Sequence, residues 1–195
     1  MRSSEIKRET AETKIILTLD IDGSGRSDVD TGVGFLDHML TLFARHSRMD
    51  LAVSANGDTY VDDHHTVEDV GIALGQALAE ALGDKRGIVR YGSCILPMDE
   101  ALIMSAVDIS GRSYLGYEMD IPSQKVGSFD TELAEEFWLG LVRNAGITLH
   151  IRQMAGSNSH HIIEGAFKSV ARSLRQALAI DKEYSSEIPS TKGLL

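Results

Sequence analysis

The sequence predicts an α+β fold made of two copies of a ββαβα unit, with helices covering one face of mixed, mostly antiparallel sheets. The first observation is an internal repeat: His-His-x-x-Glu occurs at 64–68 and again at 160–164. Each copy opens a helical pattern that runs on to Gln-Ala-Leu, and repeats of this kind mark duplicated structural units. The second observation is that an amphipathic segment and then an alternating segment precede each copy, which indicates a helix followed by a strand.

The first repeat is predicted to occupy residues 1–86. Its opening strand pair ends at Leu19-Asp20-Ile21, shortly before a Gly-Arg-Ser turn. Apolar residues then recur at helical spacing over 35–46 and at strand-like spacing over 49–55. The helix that opens with the first His-His-x-x-Glu motif is predicted to stop in the glycine-flanked segment 83–87.

The second repeat is predicted to occupy residues 87–195. Val107-Asp108-Ile109, followed by a second Gly-Arg-Ser turn, matches the end of the first strand pair. A helix is predicted over 133–145 and a half-buried strand over 147–153, where apolar and polar residues alternate. After the second helix with the motif, the chain ends in a Ser-Thr-Lys tail, which we interpret either as a frayed terminus or as a lid over bound substrate.

Composition indicates an ordinary globular protein. Hydrophobic residues make up 43% and charged residues 25% of the chain, with only 3 prolines, so collagen-like and disordered classes are excluded. The net charge of -10 argues against nucleic acid as a partner, and no apolar run is long enough to span a membrane. Cys94 is the single cysteine, which excludes an intramolecular disulfide and favours a cytoplasmic location. Because each sheet is covered on one face only, we expect a homo-oligomer.

The repeated motif predicts metal binding. Residues at i, i+3 and i+4 of a helix share a face, so Glu68 can join either His64 or His65 at one ion. Adjacent histidines point about 100° apart and are better placed to reach two ions than to chelate one. The second motif repeats this arrangement, so we expect two metals per site, each with ligands from both repeats.

Alignment of the repeats adds two candidate ligands. His38 and Glu136 fall at equivalent positions, one before each motif. Imidazole and carboxylate are both ordinary ligands of divalent transition metals, and they do not select one ion. His46 and His150 lie outside this pattern, and we interpret them as ordinary polar residues.

Four segments resemble one family over nearly the whole chain, in order. They are GFLDHM at 34–39, DHHTVED at 63–69, NSHHIIE at 158–164 and IPSTKG at 188–193. Together they are similar to imidazoleglycerol-phosphate dehydratase. The resemblance implies metal-dependent dehydration of D-erythro-1-(imidazol-4-yl)glycerol 3-phosphate to 3-(imidazol-4-yl)-2-oxopropyl phosphate plus water, in L-histidine biosynthesis.

The resemblance also implies an architecture. The fold would be ribosomal protein S5 domain 2-like, with both repeats forming one dehydratase domain. Two Mn²⁺ ions per active site are expected, and the active sites would lie between subunits of a 24-subunit homo-oligomer. The partners would be the small phosphate substrate and further copies of the chain, with no nucleic acid and no membrane.

The resemblance assigns site residues. The implied metal ligands are His38, His64, His65, Glu68, His160, His161 and Glu164, and the repeat alignment adds Glu136 as a candidate. Catalytic roles would fall to Glu12, His65, Glu68, His161 and Glu164, and Glu12 is the candidate general acid/base. Substrate contacts would come from Glu12, Arg90, Arg112, Lys168, Ser190, Thr191 and Lys192. Many family members carry His where this chain has Glu136, so this chain would offer a carboxylate in place of an imidazole at that position.

Two other interpretations remain open at this point. A dimetal hydrolase would also need His and carboxylate ligands around two ions, but it would keep a metal-bound water and lack a pocket for an imidazole. A non-catalytic metal-storage oligomer would have no phosphate ligand for Arg90, Arg112 and Lys192. Substitution of Arg112 distinguishes the two functions: an enzyme would lose apparent affinity for its substrate, whereas metal storage would not change.

Overall fold

The computed structural model describes residues 2–195, which form two halves whose element orders match, apart from a short two-stranded hairpin in the second half. The elements of the first half are β1 (Ser3–Glu9), β2 (Thr13–Asp20), β3 (Ser27–Asp30), α1 (Gly34–Ser47), β4 (Asp50–Gly57) and α2 (His64–Leu82). Those of the second are β5 (Tyr91–Met98), β6 (Ala101–Asp108), β7 (Tyr114–Glu118), β8 (Lys125–Val126), β9 (Phe129–Asp130), α3 (Leu133–Ala145), β10 (Thr148–Ala155) and α4 (Ser159–Ala177).

Each half contains a four-stranded mixed sheet with the same topology. The strand orders are β1-β2-β4-β3 and β5-β6-β10-β7, in which only the last pair of each sheet is parallel. The predicted fold class and duplication are confirmed. Two strands were predicted before the first helix of each half, and the structure has a third there, β3 or β7. The sequence of β3 is Ser-Asp-Val-Asp, which has no alternation of apolar and polar residues.

The helices of the two halves pack against each other. Contacts between the halves join α1 to α4 and α2 to α3, while α2 also covers β1 and β2 and α4 covers β5 and β6. The centre of this layer is aromatic: the ring centroids of Trp138 and Phe167 are 4.5 Å apart, and Phe43 of the first half lies 6.5 Å from Trp138. One hydrophobic core therefore spans both repeats.

Glycines allow α2 and α3 to cross closely beside Glu68 of the first His-His-x-x-Glu motif. A Cβ placed on Gly140 of α3 would lie 2.9 Å from the carbonyl oxygen of Glu68, and one on Gly71 of α2 would overlap the carbonyl oxygen of Phe137. The crossing places Phe137, the residue after Glu136, against Gly71 of α2.

The outer faces of the sheets retain exposed apolar side chains. On β5, Tyr91 and Ile95 point outward and are 54% and 59% exposed, while Gly92 and Leu96 point into the core. Met154 on β10 is similarly exposed. None of the helices in residues 2–195 combines the length and the apolar character that crossing a membrane would require.

Candidate metal centre and active site

Both repeated motifs lie in the first turn of a helix, as predicted. Asn158 caps α4 by accepting the backbone N–H groups of His160 and His161, and Asp62 accepts the N–H of His64 at 2.8 Å. In both pairs of adjacent histidines, the ring centroids are 6.2 Å apart and the rings are inclined at 80°. The two rings of a pair therefore face different surroundings, as expected for neighbouring helical positions.

Three predicted ligands come together in the structure. His38 Nε2 lies 3.4 Å and His160 Nε2 lies 3.1 Å from Glu164 Oε2. The ligand atoms of these residues all lie within 4.8 Å of one another, and no other such group of His, Cys, Asp or Glu occurs in the described chain, residues 2–195. His38 belongs to the first half and the other two to the second, so the cluster joins the repeats.

The chemistry of this trio fits a divalent metal ion. The Glu164 carboxylate is only 8% exposed and also contacts the ammonium group of Lys168. Burial acts to raise the pKa of Glu164, but the hydrogen bonds from Lys168, His160 and His38 outweigh it, and the pKa lies below its ordinary value. A buried, ionised carboxylate beside two imidazole nitrogens is a suitable ligand set for Mn, Fe, Co, Ni or Zn.

The equivalent group in the other half is more open. His64 Nε2 lies 3.9 Å from Glu68 Oε2, with the same i, i+4 spacing as His160 and Glu164. Glu136 lies half-buried on α3, one turn before the glycine that packs on Glu68. Among residues 2–195, Glu136 joins no group of three ligand atoms of the kind formed by the trio.

The second histidine of each pair contacts carboxylates instead. His65 Nδ1 lies 3.0 Å from Asp58, and its Nε2 lies 3.8 Å from Glu12 Oε1. The hydrogen bond with Asp58 raises the pKa of His65 above its ordinary value. The structure thus places Glu12 beside a predicted metal ligand.

His161 has a corresponding environment. Its Nδ1 lies 2.8 Å from Glu100 Oε2, and its Nε2 lies 3.8 Å from Asp99. Glu100 Oε1 also accepts the backbone N–H groups of Ser157 at 3.2 Å and Asn158 at 2.8 Å. The hydrogen bonds from His161 and Asn158 hold the pKa of Glu100 at about 2, and the bond to Glu100 raises the pKa of His161.

The sequence analysis missed Asp58, Asp99 and Glu100. For Glu100 a signal existed: it directly precedes β6, just as Glu12 directly precedes β2 in the repeat. Asp58 and Asp99 carry no such signal, because each lies in a loop where an acidic residue is ordinary.

The predicted phosphate-binding residues form a separate region. Both ends of the Arg90 guanidinium are engaged, by Asp108 at 2.7 and 3.2 Å and by the carbonyl oxygen of Pro189 at 2.8 Å. Arg112 is exposed, and a Cβ on the preceding Gly111 would lie 2.8 Å from the carbonyl carbon of Leu195. The segment with Ser190, Thr191 and Lys192 therefore runs between Arg90 and Arg112.

Within one chain these two regions are far apart. Arg90 directly precedes β5, whereas Asp99 and Glu100 follow it. A strand rises about 3.3 Å per residue, so this eight-residue strand separates the two regions by roughly 25 Å. Lys168, the other predicted substrate contact, lies with the metal ligands beside Glu164.

Comparisons with known proteins agree on one family. A family model described as imidazoleglycerol-phosphate dehydratase matches residues 31–174. A protein of that name from Roseobacter denitrificans is 63% identical over 195 residues, and one from Dinoroseobacter shibae is 60% identical, with 100% of both chains covered in each case.

Solved structures give the same result. The crystal structure of imidazoleglycerol-phosphate dehydratase from Staphylococcus aureus has a TM-score of 0.84 and 45% identity, covering 92% of this chain and 99% of that one. The Pyrococcus furiosus structure has a TM-score of 0.85 and 38% identity, covering 97% and 100%. By its full-length sequence matches, its fold and its repeated His-His-x-x-Glu helices, the chain belongs to the imidazoleglycerol-phosphate dehydratase family.

Proposed function

We propose that this chain catalyses its family's reaction with two divalent metal ions, Mn²⁺ being the expected ion, in the cytoplasm. The reaction converts D-erythro-1-(imidazol-4-yl)glycerol 3-phosphate to 3-(imidazol-4-yl)-2-oxopropyl phosphate and water, in L-histidine biosynthesis. As a member of this family the chain is a hydro-lyase. The observation that carries the metal proposal is the trio of His38, His160 and Glu164, whose ligand atoms lie within 4.8 Å of one another.

The proposed ligands fall into two equivalent sets. One set is the trio, and the other is its repeat counterpart formed by His64, Glu68 and Glu136. His65 and His161 would complete these sets, each for an ion held mainly by another copy, because their rings point away from the motif glutamates. When bound, the metal ions would act as Lewis acids on the imidazole ring of the substrate and would fix its orientation.

The chemistry requires removal of a proton from a carbon atom that no neighbouring carbonyl group acidifies. The C–O bond beside the ring breaks, and its hydroxyl group leaves as water with one added proton. The neighbouring carbon gives up its proton, and the resulting enol becomes the ketone when its O–H proton is lost and the carbon beside the ring gains one. Glu12 is suited to move that proton, because it lies in a hairpin loop next to His65 and is half exposed. Arg112, Lys192 and Ser190 would hold the phosphate, for which Arg offers two parallel donors and Lys a point charge.

We further propose that the active site is shared between copies in a 24-subunit assembly. The roughly 25 Å between the Arg90 region and Glu100 supports sharing, since the substrate's short carbon chain spans far less than that. Exposed Tyr91 and Ile95 on an outer sheet face support self-association. Within each copy, we propose that residues 1–86 and 87–195 are the two repeats.

The test is ketone formation by protein that has been stripped of metal and then titrated with Mn²⁺. Activity is expected to return near two equivalents per chain. If metal binds at that ratio and inorganic phosphate is released instead of ketone, the protein is a hydrolase. If metal binds and no product forms, the protein stores metal, and either result refutes the dehydratase proposal.

Arg112→Ala separates the enzyme from the storage protein. We expect a rise in KM for the phosphate substrate with unchanged metal stoichiometry, because Arg112 lies away from the proposed ligands. Lys182→Ala is the matched control, since Lys182 is an exposed cation upstream of the Ser190–Lys192 segment. Equal KM values for both variants would remove Arg112 from the substrate site.

A further inference from the structure

The hairpin loops of the two repeats place equivalent glutamates beside equivalent histidines. In the first sheet Ser3 pairs with Asp20, and in the second Tyr91 pairs with Asp108, so the two hairpins have matching registers. Counting along these strands makes Glu12 and Glu100 the same position of the repeat, directly before β2 and β6. Each glutamate then contacts the second histidine of its own half.

The two glutamates contact different ring atoms. Glu12 lies on the Nε2 side of His65 at 3.8 Å, and Asp58 occupies the Nδ1 side. Glu100 lies on the Nδ1 side of His161 at 2.8 Å. The equivalent glutamates therefore contact opposite edges of the imidazole ring in the two halves.

The two glutamates also differ in how firmly they are held. Oε1 of Glu100 accepts the backbone N–H groups of Ser157 and Asn158, just before α4, so its second oxygen has a fixed direction toward His161. The Glu12 side chain is 52% exposed, and in the structure its carboxylate accepts no hydrogen bond from residues 2–195. The direction of the Glu100 carboxylate toward His161 is therefore fixed, whereas the Glu12 carboxylate is exposed to solvent.

We propose that Glu100 is a positioning residue, which keeps the proton of neutral His161 on Nδ1 and thereby leaves Nε2 free to bind a metal ion. The inference rests on the proposed function, because it concerns the metal ions assigned there. Histidine ligands commonly donate their second ring N–H to a carboxylate, which fixes the tautomer and the ring orientation. Asp58 provides the corresponding contact for His65, so Glu12 keeps its proton-transfer role.

Glu100→Gln tests this role with little change in shape. The glutamine carbonyl oxygen can still accept the N–H groups of Ser157 and Asn158, so its amide NH₂ group faces His161. That NH₂ group donates to Nδ1, which favours the tautomer with the proton on Nε2, where it blocks metal binding. The two backbone hydrogen bonds just before α4 are kept, while donor and acceptor exchange places in the contact with His161.

The measurement is Mn²⁺ binding to the full-length protein by equilibrium dialysis, together with thermal unfolding of the metal-free protein. We expect Glu100→Gln to weaken the affinity for one of the two ions about 10–100-fold, the usual loss when an outer carboxylate is removed. Glu12→Gln should retain both affinities. Glu118→Gln, a surface carboxylate paired with Arg152, is the charge-matched control and should also retain them.

The outcomes separate this inference from the proposed function. If wild-type protein binds two ions and forms ketone while Glu100→Gln binds both with wild-type affinity, the positioning role is wrong and the dehydratase proposal stands. If the wild type binds no metal, both are overturned. Should Glu100→Gln fail to fold, Glu100→Asp serves instead: it is too short to reach both α4 and His161, and wild-type affinity in that variant refutes the role.

Discussion

At the residue scale, the motif glutamates pair with the first histidine of each doublet and not with the second. The sequence allowed Glu164 to join either His160 or His161, and the structure selects His160, at i, i+4. The second ring is rotated toward a β-hairpin loop. Its carboxylate neighbours there could not be predicted from helical spacing, because they lie in loops outside the helix, between strands or just before the helix.

Glu12→Gln should abolish ketone formation while leaving metal and substrate binding intact. The amide cannot accept or release a proton at the carbon centre, and general acid/base groups typically contribute 10²–10⁴-fold. The variant should therefore lose at least about 100-fold in kcat. Steady-state kinetics with Mn²⁺ present measures this, and turnover at the wild-type rate would remove Glu12 from the mechanism.

Asp50 stabilises the turn that leads into β3. Its Oδ1 accepts the backbone N–H groups of Ser24, Gly25 and Arg26 at 2.7–2.9 Å, and these bonds hold the pKa of Asp50 well below its usual range, with Arg26 the largest cause. Asp50→Ala should lower the free energy of unfolding by about 1–3 kcal/mol at pH 7.

The pH dependence of that loss has a definite sign. The pKa of Asp50 is lower in the folded protein than in the unfolded chain, where it lies at about 4. Its contribution to the free energy of unfolding is therefore complete above the unfolded-state pKa, and it declines as the pH falls toward the folded-state pKa. Urea unfolding should therefore show a larger difference between wild type and Asp50→Ala at pH 7 than at pH 3. Asp28→Ala, on the exposed side of β3, is the control, and an equal loss in both variants would contradict the assignment.

At the element scale, the long amphipathic segments were predictable and the short strands were not. The helix predicted over 133–145 matches α3, because its apolar face is buried along its whole length. β3 and β7 gain their stability from parallel pairing with β4 and β10. Such pairing is tertiary and leaves no periodic pattern in a four- or five-residue segment, which explains why two strands per half were expected before the first helix.

Gly92 sets how closely β5 approaches α4. A Cβ at this position would overlap the backbone carbonyl oxygen of Ser173, so the helix or the strand would have to move. Gly92→Ala should lower the free energy of unfolding by about 1–3 kcal/mol, the usual cost of overpacking. Gly34→Ala is the control, because nothing lies within 4 Å of a Cβ there, and urea unfolding of both variants measures the difference. Equal stabilities would mean that the backbone adjusts without cost.

At the scale of the whole molecule, the candidate site was only partly predictable. The sequence identified His38 through the repeat, and the structure places it with His160 and Glu164 because α1 packs on α4 across the two halves. The role of Glu136 as a ligand stays a prediction, because no three-residue cluster within residues 2–195 includes it. The sequence could not predict that Arg90 and Glu100 lie at opposite ends of β5, because the bounds of this strand depend on its pairing with β6.

Ile95→Glu should dissociate the proposed assembly. Ile95 is 59% exposed on the outer face of β5, so a charge there leaves the monomer core intact but opposes burial against another copy. Native mass spectrometry should show a smaller particle, with activity falling in parallel and circular dichroism unchanged. An unaltered mass would exclude this face of β5 from the interface.

The separation of Arg90 and Glu100 along β5 has a genetic consequence. If each catalytic centre takes its phosphate-binding end from one copy and its metal-binding end from another, two defective alleles can complement each other. Chains carrying Arg112→Ala and chains carrying Glu164→Gln, produced in the same cell, would form mixed particles in which some centres receive an intact half from each parent. Two alleles damaged at the same end of β5 would form only defective centres, so the pattern of complementation would map the ends of this strand without any structure.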